Sequence, residues 1–179
     1  MKFRPGKRLT PIVARPFSGY ADAMEKKIKS IGLVAHDNLK QDMAEWVEYN
    51  YQTIAYHQLV CTGTTGSIVE EALKRKMVEA GAHLPIKITK LSSGPLGGDQ
   101  QLGAMITEGK IDLLIFLWDP MQPQPHDVDV KALLRLAVLY NIPTANNRST
   151  ADFIISSPLF SKEYKQKIRD YSTYINRKI

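Results

Sequence analysis

The stretch "IDLLIFLW" (residues 111–118) decides the fold, because it is apolar at every position except Asp112. A strand of this composition needs cover on both faces, which is typical of a parallel sheet with helices on either side. Shorter, mainly apolar runs recur along the chain and predict the neighbouring strands. These runs are "IGLVA" (31–35), "HQLVC" (57–61), "IKITKL" (86–91), "IPTA" (142–145) and, as a further candidate, "FII" (153–155).

The segments between these runs carry apolar residues at the three- and four-residue spacing of one helix face. The clearest stripes are Leu39, Met43, Trp46 and Val47 within 37–50, and Val130, Leu133, Leu134, Ala137 and Val138 within 127–141. This regular alternation of strand and helix patterns predicts an α/β protein. Its expected architecture is three α/β/α layers around a doubly wound, mainly parallel sheet.

The distribution of charge divides the chain. Residues 1–30 hold eight Lys or Arg against two Asp or Glu, so the whole net charge of +6 lies in that segment. We therefore expect a basic N-terminal extension over 1–30, a neutral domain over 31–158, and a C-terminal helix or coil packed on that domain over 159–179. Because the domain is neutral, we expect no nucleic-acid partner.

Composition also excludes several classes of protein. No apolar run approaches the ~20 residues of a membrane-spanning helix, so we expect no membrane partner. Cys61 is the single cysteine, which rules out an internal disulfide and favours a reducing compartment. No hydrophobic signal segment precedes a small-residue cleavage site, and we expect a cytoplasmic protein.

Polar clusters follow the predicted strands, at the point where each strand ends. Ligands of doubly wound proteins bind at the carboxyl ends of the strands, so these clusters are expected to converge on one site. They are His36-Asp37, Thr62 to Gly66, Ser93 to Asp99, Asp119, and His126 to Asp129.

The turn "TGTTG" (62–66) is a candidate anion cradle. Its glycines let the backbone approach an anion, and a following helix would present unpaired amides and a positive dipole end. It lacks the Gly-Lys-Ser/Thr ending of a P-loop and the Gly-x-Gly-x-x-Gly spacing of a dinucleotide site, so a single phosphoryl group is expected. An ordinary Thr helix cap remains the alternative. Lys40, one turn after His36, could add a cation to the same cleft.

Asp99, His126 and Asp129 are the candidate catalytic residues. A metal site formed by the three is one alternative, but the chain has no His-x-x-x-His pair and Cys61 has no partner cysteine. Helix capping by Asp129 is another alternative. We expect no metal and no organic cofactor.

Several stretches together resemble the methylglyoxal synthase family. They are "LVAHDNLK" (33–40), "CTGTTG" (61–66), "SGPLGGDQQLGAMITEGKIDLLIFLWDP" (93–120), "PHDVDVKALLRLA" (125–137), "NIPTA" (141–145) and "TADFIISSP" (150–158). The resemblance implies a flavodoxin-like domain assembled as a homohexamer. It also implies conversion of dihydroxyacetone phosphate to methylglyoxal and inorganic phosphate, with phosphate as an inhibitor. A non-catalytic regulatory module of the same fold, binding phosphorylated metabolites or nucleotides, is the alternative.

The resemblance also implies roles for individual residues. Asp99 matches the catalytic base, and His126 and Asp129 match residues that assist it. Asp37 and Arg135 match positions tied to communication between subunits. The substrate and phosphate contacts are matched by His36, Lys40, Thr62, Gly63, Thr64, Thr65, Ser93 and Gly94. We expect Ser93 and Gly94 to serve the phosphate, away from Asp99.

Overall fold

A computed structural model describes residues 28–177, so most of the predicted basic extension over 1–30 lies outside the described residues. Five strands form one sheet. They are β1 (Ser30–Ala35), β2 (Gln58–Cys61), β3 (Lys87–Lys90), β4 (Leu113–Leu117) and β5 (Thr144–Ala145).

All four strand pairings are parallel, and the order across the sheet is β3-β2-β1-β4-β5. The chain runs outward from the central β1 to β3 and then returns to build β4 and β5 on the other side. Where the order reverses, between β1 and β4, a crevice opens at the carboxyl ends of the strands. The ligand site of a doubly wound protein is expected there.

The helices are α1 (Lys40–Tyr49), α2 (Tyr51–Ile54), α3 (Gly63–Ala80), α4 (Gly98–Thr107), α5 (Asp127–Leu139), α6 (Arg148–Ser156) and α7 (Ser172–Ile175). Helix α1 packs against α3, and α4 packs against α5. Helices therefore cover both faces of the sheet, and the predicted three-layer, flavodoxin-like architecture is confirmed.

The core lies where the central strands meet these helices. Every residue of β4 is buried, as its uninterrupted apolar sequence predicts. Trp46 of α1 is fully buried, and its indole N–H donates to the carboxylate of Asp152 at 2.8 Å. The edge strand β3 is mostly exposed and carries Lys87 and Lys90, which is typical of a strand that must not pair with another chain.

Two expectations from the sequence are wrong. Residues 153–155 belong to α6 rather than to a strand, because the Asn147 side chain caps a helix there by accepting from the Thr150 N–H at 2.9 Å. Val138 is 79% exposed, so the buried stripe of α5 is narrower than predicted. Val130, Leu133 and Ala137 are the buried residues of α5, and Leu134 packs partly buried against the core.

The stretch after α6 is coil apart from the four residues of α7. Phe160 is buried in the core, and Gln166 donates to the main-chain oxygen of Asp112 at 3.2 Å. The domain boundaries at 31–158 and 159–179 stay predictions. Among the described residues, no helix is both long and apolar enough to cross a membrane.

Candidate active site

A cleft of about 260 Å³ opens at the carboxyl ends of the central strands. Ten of the thirteen predicted site residues line it, so four of the five polar clusters converge there as expected, whereas Asp119 does not line it. The ten are His36, Asp37, Lys40, Thr62, Thr64, Thr65, Ser93, Gly94, Asp99 and His126.

Asp99 is the most deeply buried carboxylate of the cleft. It is the second residue of α4 and is only 2% exposed. Neither of its carboxylate oxygens has a hydrogen-bond partner among the described residues. Burial raises the pKa of Asp99 and the charge of Asp129 adds to this, while His126 and His36 oppose it. A carboxylate that is buried without hydrogen-bond donors is a stronger proton acceptor than an exposed one.

His126 lies beside that carboxylate. Its Nε2 atom lies 3.5 Å from Oδ2 of Asp99. The main-chain oxygen of His126 accepts from the N–H groups of Asp129 (2.9 Å) and Val130 (3.1 Å), so the first turn of α5 fixes the residue. The other ring nitrogen, Nδ1, is buried and has no partner among the described residues.

Gly94 leaves the space in which these two side chains meet. A Cβ atom built at Gly94 would lie 2.8 Å from Nε2 of His126 and 3.1 Å from Oδ2 of Asp99. The first contact is shorter than Cβ atoms make in proteins and the second is tighter than most, so both side chains would have to shift. Gly94 therefore lies beside Asp99, closer than the sequence predicted, and its contact with the phosphate stays a prediction.

The loop before α4 is tightly wound. Residues Gly94–Leu96 form a 3₁₀ turn, and the main-chain oxygen of Ser93 accepts from the N–H groups of Leu96 and Gly98, both at 2.9 Å. Gly97 has a φ of +94°, a left-handed conformation that favours glycine. A Cβ at Gly98 would lie 2.1 Å from the oxygen of Ser92, so only glycine fits. These turns set Asp99 at the floor of the cleft.

The "TGTTG" segment is the first turn of α3 rather than a separate loop, with Thr62 at the helix cap. The Thr65 hydroxyl oxygen accepts from the N–H of Ala35 and from the Thr62 hydroxyl, both at 3.3 Å. Gly63 donates its N–H to the oxygen of Ser92 at 3.0 Å and does not line the cleft. The helix start thus directs hydroxyls and a positive dipole end toward the cleft, which suits an anion.

Lys40 supplies a cation at the mouth of the cleft. Its ammonium group forms an ion pair with Asp37, whose side chain is 77% exposed, whereas that of Lys40 is 20% exposed. The hydrogen bond from Lys40 lowers the pKa of Asp37. Asp37 therefore pairs with Lys40 when no ligand is bound, and an incoming anion would compete with Asp37 for the Lys40 ammonium group.

His36 follows β1 and is 5% exposed. Its Nδ1 atom accepts from the main-chain N–H of Asp119 at 3.2 Å, and its Nε2 atom has no partner among the described residues. The ring packs edge-on against Phe116, with 5.2 Å between ring centres. One ring nitrogen of His36 thus accepts a hydrogen bond within the protein, and the other is left without a partner among the described residues.

Other residues differ from the sequence-based picture. Asp129 is only half-buried and is absent from the cleft lining, although its charge acts on Asp99. Arg135 is exposed on α5, away from the cleft. Gln124 lines the cleft and was missed, since a glutamine in a proline-rich loop matches no catalytic pattern. Its position two residues before His126 was the one available signal.

Within residues 28–177, no group of three or more His, Cys, Asp or Glu side chains is arranged to hold a metal ion. Asp99, His126 and Asp129 accordingly form no such group, and the three-ligand metal site considered from the sequence is not supported. The thiol of Cys61 is buried in β2, where burial raises its pKa to about 12.

The fold and cleft define a doubly wound α/β protein with a small cleft lined by hydroxyl groups, a lysine and a buried carboxylate. A family model described as "MGS-like domain" matches residues 42–146. The methylglyoxal synthase of Maridesulfovibrio salexigens is 59% identical over 157 residues, covering 86% of this chain and 99% of that protein. The methylglyoxal synthase of Proteus mirabilis is 52% identical, covering 84% and 92%.

A solved structure is also similar to this chain. The crystal structure of methylglyoxal synthase from Elizabethkingia anophelis superposes with a TM-score of 0.75 at 47% identity, covering 85% of this chain and 93% of that one. The chain therefore belongs to the methylglyoxal synthase family, a family of lyases, as its sequence motifs predicted. These relatives lend no support to the alternative of a non-catalytic regulatory module.

Proposed function

We propose that this protein converts dihydroxyacetone phosphate to methylglyoxal and inorganic phosphate. The observation that carries the proposal is the buried Asp99 carboxylate, which has no hydrogen-bond partner among the described residues. It shares its cleft with the Lys40 cation and with the Thr hydroxyls at the start of α3. One cleft thus contains a base for a carbon acid and a set of donors for a phosphate.

In the first step, Asp99 removes a proton from the hydroxymethyl carbon of the substrate. The electron pair left on that carbon delocalises onto the carbonyl oxygen, giving an enediol(ate). The raised pKa of Asp99 supports this role, since a base works best when its pKa approaches the working pH. A positioned general base contributes typically ~10²–10⁴-fold to the rate.

His126 stabilises the charge that develops on the carbonyl oxygen. Its Nε2 atom lies 3.5 Å from Asp99 Oδ2, so the two groups can act on adjacent atoms of one small substrate. Donation to a developing oxyanion lowers the barrier by about 3 kcal/mol in comparable sites. Asp129 assists through its charge, which raises the pKa of Asp99 without direct contact with the cleft.

In the second step, the hydroxyl on the former hydroxymethyl carbon loses its proton and its electrons form an aldehyde. The double bond shifts, and the carbon–oxygen bond to phosphate breaks, so inorganic phosphate leaves with the bonding pair. The enol that remains gains a proton on its terminal carbon, loses its hydroxyl proton and so becomes methylglyoxal. No oxidant or reductant is consumed, and the proposal includes neither metal nor organic cofactor.

The phosphate end of the cleft decides between elimination and isomerisation. Phosphate leaves readily when its bond to carbon stands perpendicular to the enediol plane, in overlap with the π electrons. We assign this orientation to Lys40 and to the hydroxyl donors at the strand ends, which also stabilise the departing dianion. Those donors are Thr62, Thr64, Thr65 and Ser93. Gly94, which lies beside Asp99, lets the substrate's carbonyl region approach the backbone.

We extend the proposal to assembly and location, namely a homohexamer in the cytoplasm that phosphate inhibits as a product. Several large apolar side chains of the helices are exposed, as expected of surfaces that pack against further copies. They are Val78, Val128, Val138 and Phe153. Light scattering of the purified protein tests the assembly, since a monomer at working concentration would contradict it.

The proposed activity is tested by incubating the protein with dihydroxyacetone phosphate and assaying three products in parallel. We expect methylglyoxal and inorganic phosphate in equal amounts and no glyceraldehyde 3-phosphate. Accumulation of glyceraldehyde 3-phosphate would mean that the enediol is reprotonated rather than cleaved. Phosphate binding without any turnover would favour a regulatory module. Activity that is lost in EDTA and restored by zinc or manganese would contradict the proposal of metal independence.

A further inference from the structure

We infer that Asn38 and Asp119 are positioning residues that hold His36 in one tautomer, with its Nε2–H directed at the ligand in the cleft. The assignment of the tautomer is independent of the reaction, whereas its catalytic consequence rests on the proposed function. Neither Asn38 nor the Asp119 side chain lines the cleft. Both act through His36.

The tautomer follows from one hydrogen bond. The main-chain N–H of Asp119 donates to Nδ1 of His36 at 3.2 Å. A ring nitrogen that accepts a hydrogen bond carries no proton, so a neutral His36 has its proton on Nε2. That atom is buried and has no acceptor among the described residues. Because His36 lines the cleft, a bound ligand oxygen can supply the missing acceptor.

The Asp119 amide is held in place by its own side chain. One carboxylate oxygen, Oδ1, accepts from the N–H of Met121 at 2.9 Å, which closes a tight turn after β4. The other, Oδ2, accepts from the Asn38 amide at 2.9 Å. These bonds, with that from Met121 the largest cause, lower the pKa of Asp119. The carboxylate therefore stays ionised and continues to accept both bonds.

Asn38 ties together the two turns that flank the crevice. Its Nδ2 atom donates to Asp119 Oδ2 and, at 2.7 Å, to Oε1 of Gln122. A carboxylate can only accept, which settles which end of the Asn38 amide faces it. The main-chain oxygen of His36 accepts from the N–H of Leu39 at 2.9 Å, so Asn38 lies in the turn that His36 begins. The link formed by these hydrogen bonds from Asn38 to Asp119 and Gln122 therefore spans the topological switch point between β1 and β4.

The surroundings of His36 favour its neutral form. Burial lowers the pKa of His36. The ring of His126, whose centre lies 6.2 Å away, lowers the pKa of His36 further, while Asp119 and Asp99 raise it. A neutral ring does not form an ion pair with Asp99 and so leaves that carboxylate basic. The opposite tautomer would turn a lone pair toward the substrate oxygens and repel them.

The tautomer is tested directly by NMR on the full unliganded chain carrying ¹⁵N-labelled histidine. We expect His36, assigned by comparison with His36→Asn, to show a bare Nδ1 and a protonated Nε2 at neutral pH. A proton on Nδ1, or on both nitrogens, would overturn the inference. Asn38→Ala and Asp119→Ala should each yield a mixture of tautomers. Asp170→Ala is the matched control, since Asp170 accepts from the Ser172 N–H at 2.8 Å in a similar turn far from the cleft.

Kinetics then separate this inference from the proposed function. We expect Asn38→Ala and Asp119→Ala to lower kcat/KM at least ~10-fold, since losing a tautomer-fixing partner costs up to ~10⁴-fold in serine proteases. Because both variants break the same link, the double variant should lose no more than either single one. Normal kcat/KM and unchanged ring signals in both would overturn the inference and leave the proposed function intact. If His36 shows the expected tautomer but the protein does not turn over dihydroxyacetone phosphate, the proposed function is contradicted and the tautomer assignment is supported.

Discussion

The Nε2 atom of His126 lies 3.5 Å from Oδ2 of Asp99, and neither carboxylate oxygen accepts a hydrogen bond from any described residue. A carboxylate held this close to an imidazole, without a committed donor, is arranged to act on a ligand rather than to stabilise the fold. A purely structural buried carboxylate would be hydrogen-bonded, since an unsatisfied one costs stability. The first two predictions follow from this pair and its surroundings.

Gly94→Ala should disable the pair without unfolding the protein. The added Cβ would approach His126 Nε2 to 2.8 Å and Asp99 Oδ2 to 3.1 Å, so both side chains must move. Displacements of about 1 Å in a site cost about 10²-fold, and we expect that loss in kcat/KM. Gly109→Ala controls for backbone strain without a clash, because Gly109 has a positive φ (+70°), unlike Gly94, and nothing lies within 4 Å of its Cβ position. Unimpaired kcat/KM in Gly94→Ala would contradict the placement.

Asp99→Asn should stabilise the protein at neutral pH. Burial raises the folded-state pKa of Asp99 above its ordinary value of 3.8, so the folded state binds its proton more tightly than the unfolded state. The free energy of unfolding therefore falls as pH rises from 3.8 through the folded-state pKa, and the cost persists above it. Asparagine has no such cost. We expect a gain within the ~0.5–2 kcal/mol common for single stabilising substitutions.

Urea unfolding at neutral pH and again towards pH 3.8 measures that gain. The difference between Asp99→Asn and wild type should shrink as pH falls, because a protonated Asp99 carries no charge. A variant that is less stable than wild type at neutral pH would contradict this prediction, because it would show that contacts which asparagine cannot make stabilise the buried carboxylate.

Lys40→Ala should weaken binding of inorganic phosphate and of substrate alike, because both use the same cation. Charge-assisted hydrogen bonds contribute ~1.5–3 kcal/mol, which corresponds to roughly 10–150-fold in Kd. Calorimetry with inorganic phosphate gives the value. Lys74→Ala removes an equally charged side chain that pairs with Glu70 on the surface, and it should leave the Kd unchanged. Equal phosphate affinity in Lys40→Ala and wild type would contradict the assignment of Lys40 to phosphate binding.

Asp37→Asn should have the opposite effect on phosphate. Asp37 is the resting ion-pair partner of Lys40, and its removal frees the ammonium group for the ligand. Exposed ion pairs contribute at most about 1 kcal/mol, so phosphate should bind about two- to five-fold more tightly. Calorimetry under the same conditions checks this. Weaker phosphate binding would mean that Asp37 orients Lys40 rather than competing for it.

The sequence predicted the sheet well because its strands are buried on both faces. A short apolar run such as residues 111–118 indicates a strand that is covered by helices on both faces. The run at 153–155 was misassigned because a short apolar segment fits a helix equally well. The decisive contact was the Asn147 cap, six residues upstream. Convergence of the polar clusters was predictable, since parallel strands carry their carboxyl ends to one edge.

The finer arrangement of the cleft could not be predicted in this way. The bond from the Asp119 amide to His36 joins residues 83 positions apart, and a main-chain donor leaves no signature in side-chain patterns. The position of Gly94 against Asp99 and His126 depends on how the loop before α4 packs against the loop before α5, which local spacing does not encode. Asp129 was expected in the cleft from its helical register with His126, but it acts on Asp99 from outside the lining.

The central claim is that Asp99 takes the proton whose loss leads to expulsion of phosphate. The most direct measurement is turnover of dihydroxyacetone phosphate by wild type and by Asp99→Asn, following methylglyoxal and phosphate together. The account predicts that the variant folds, binds inorganic phosphate and loses at least ~10²-fold in kcat, the lower limit for a general base. Turnover by Asp99→Asn close to the wild-type rate would contradict it.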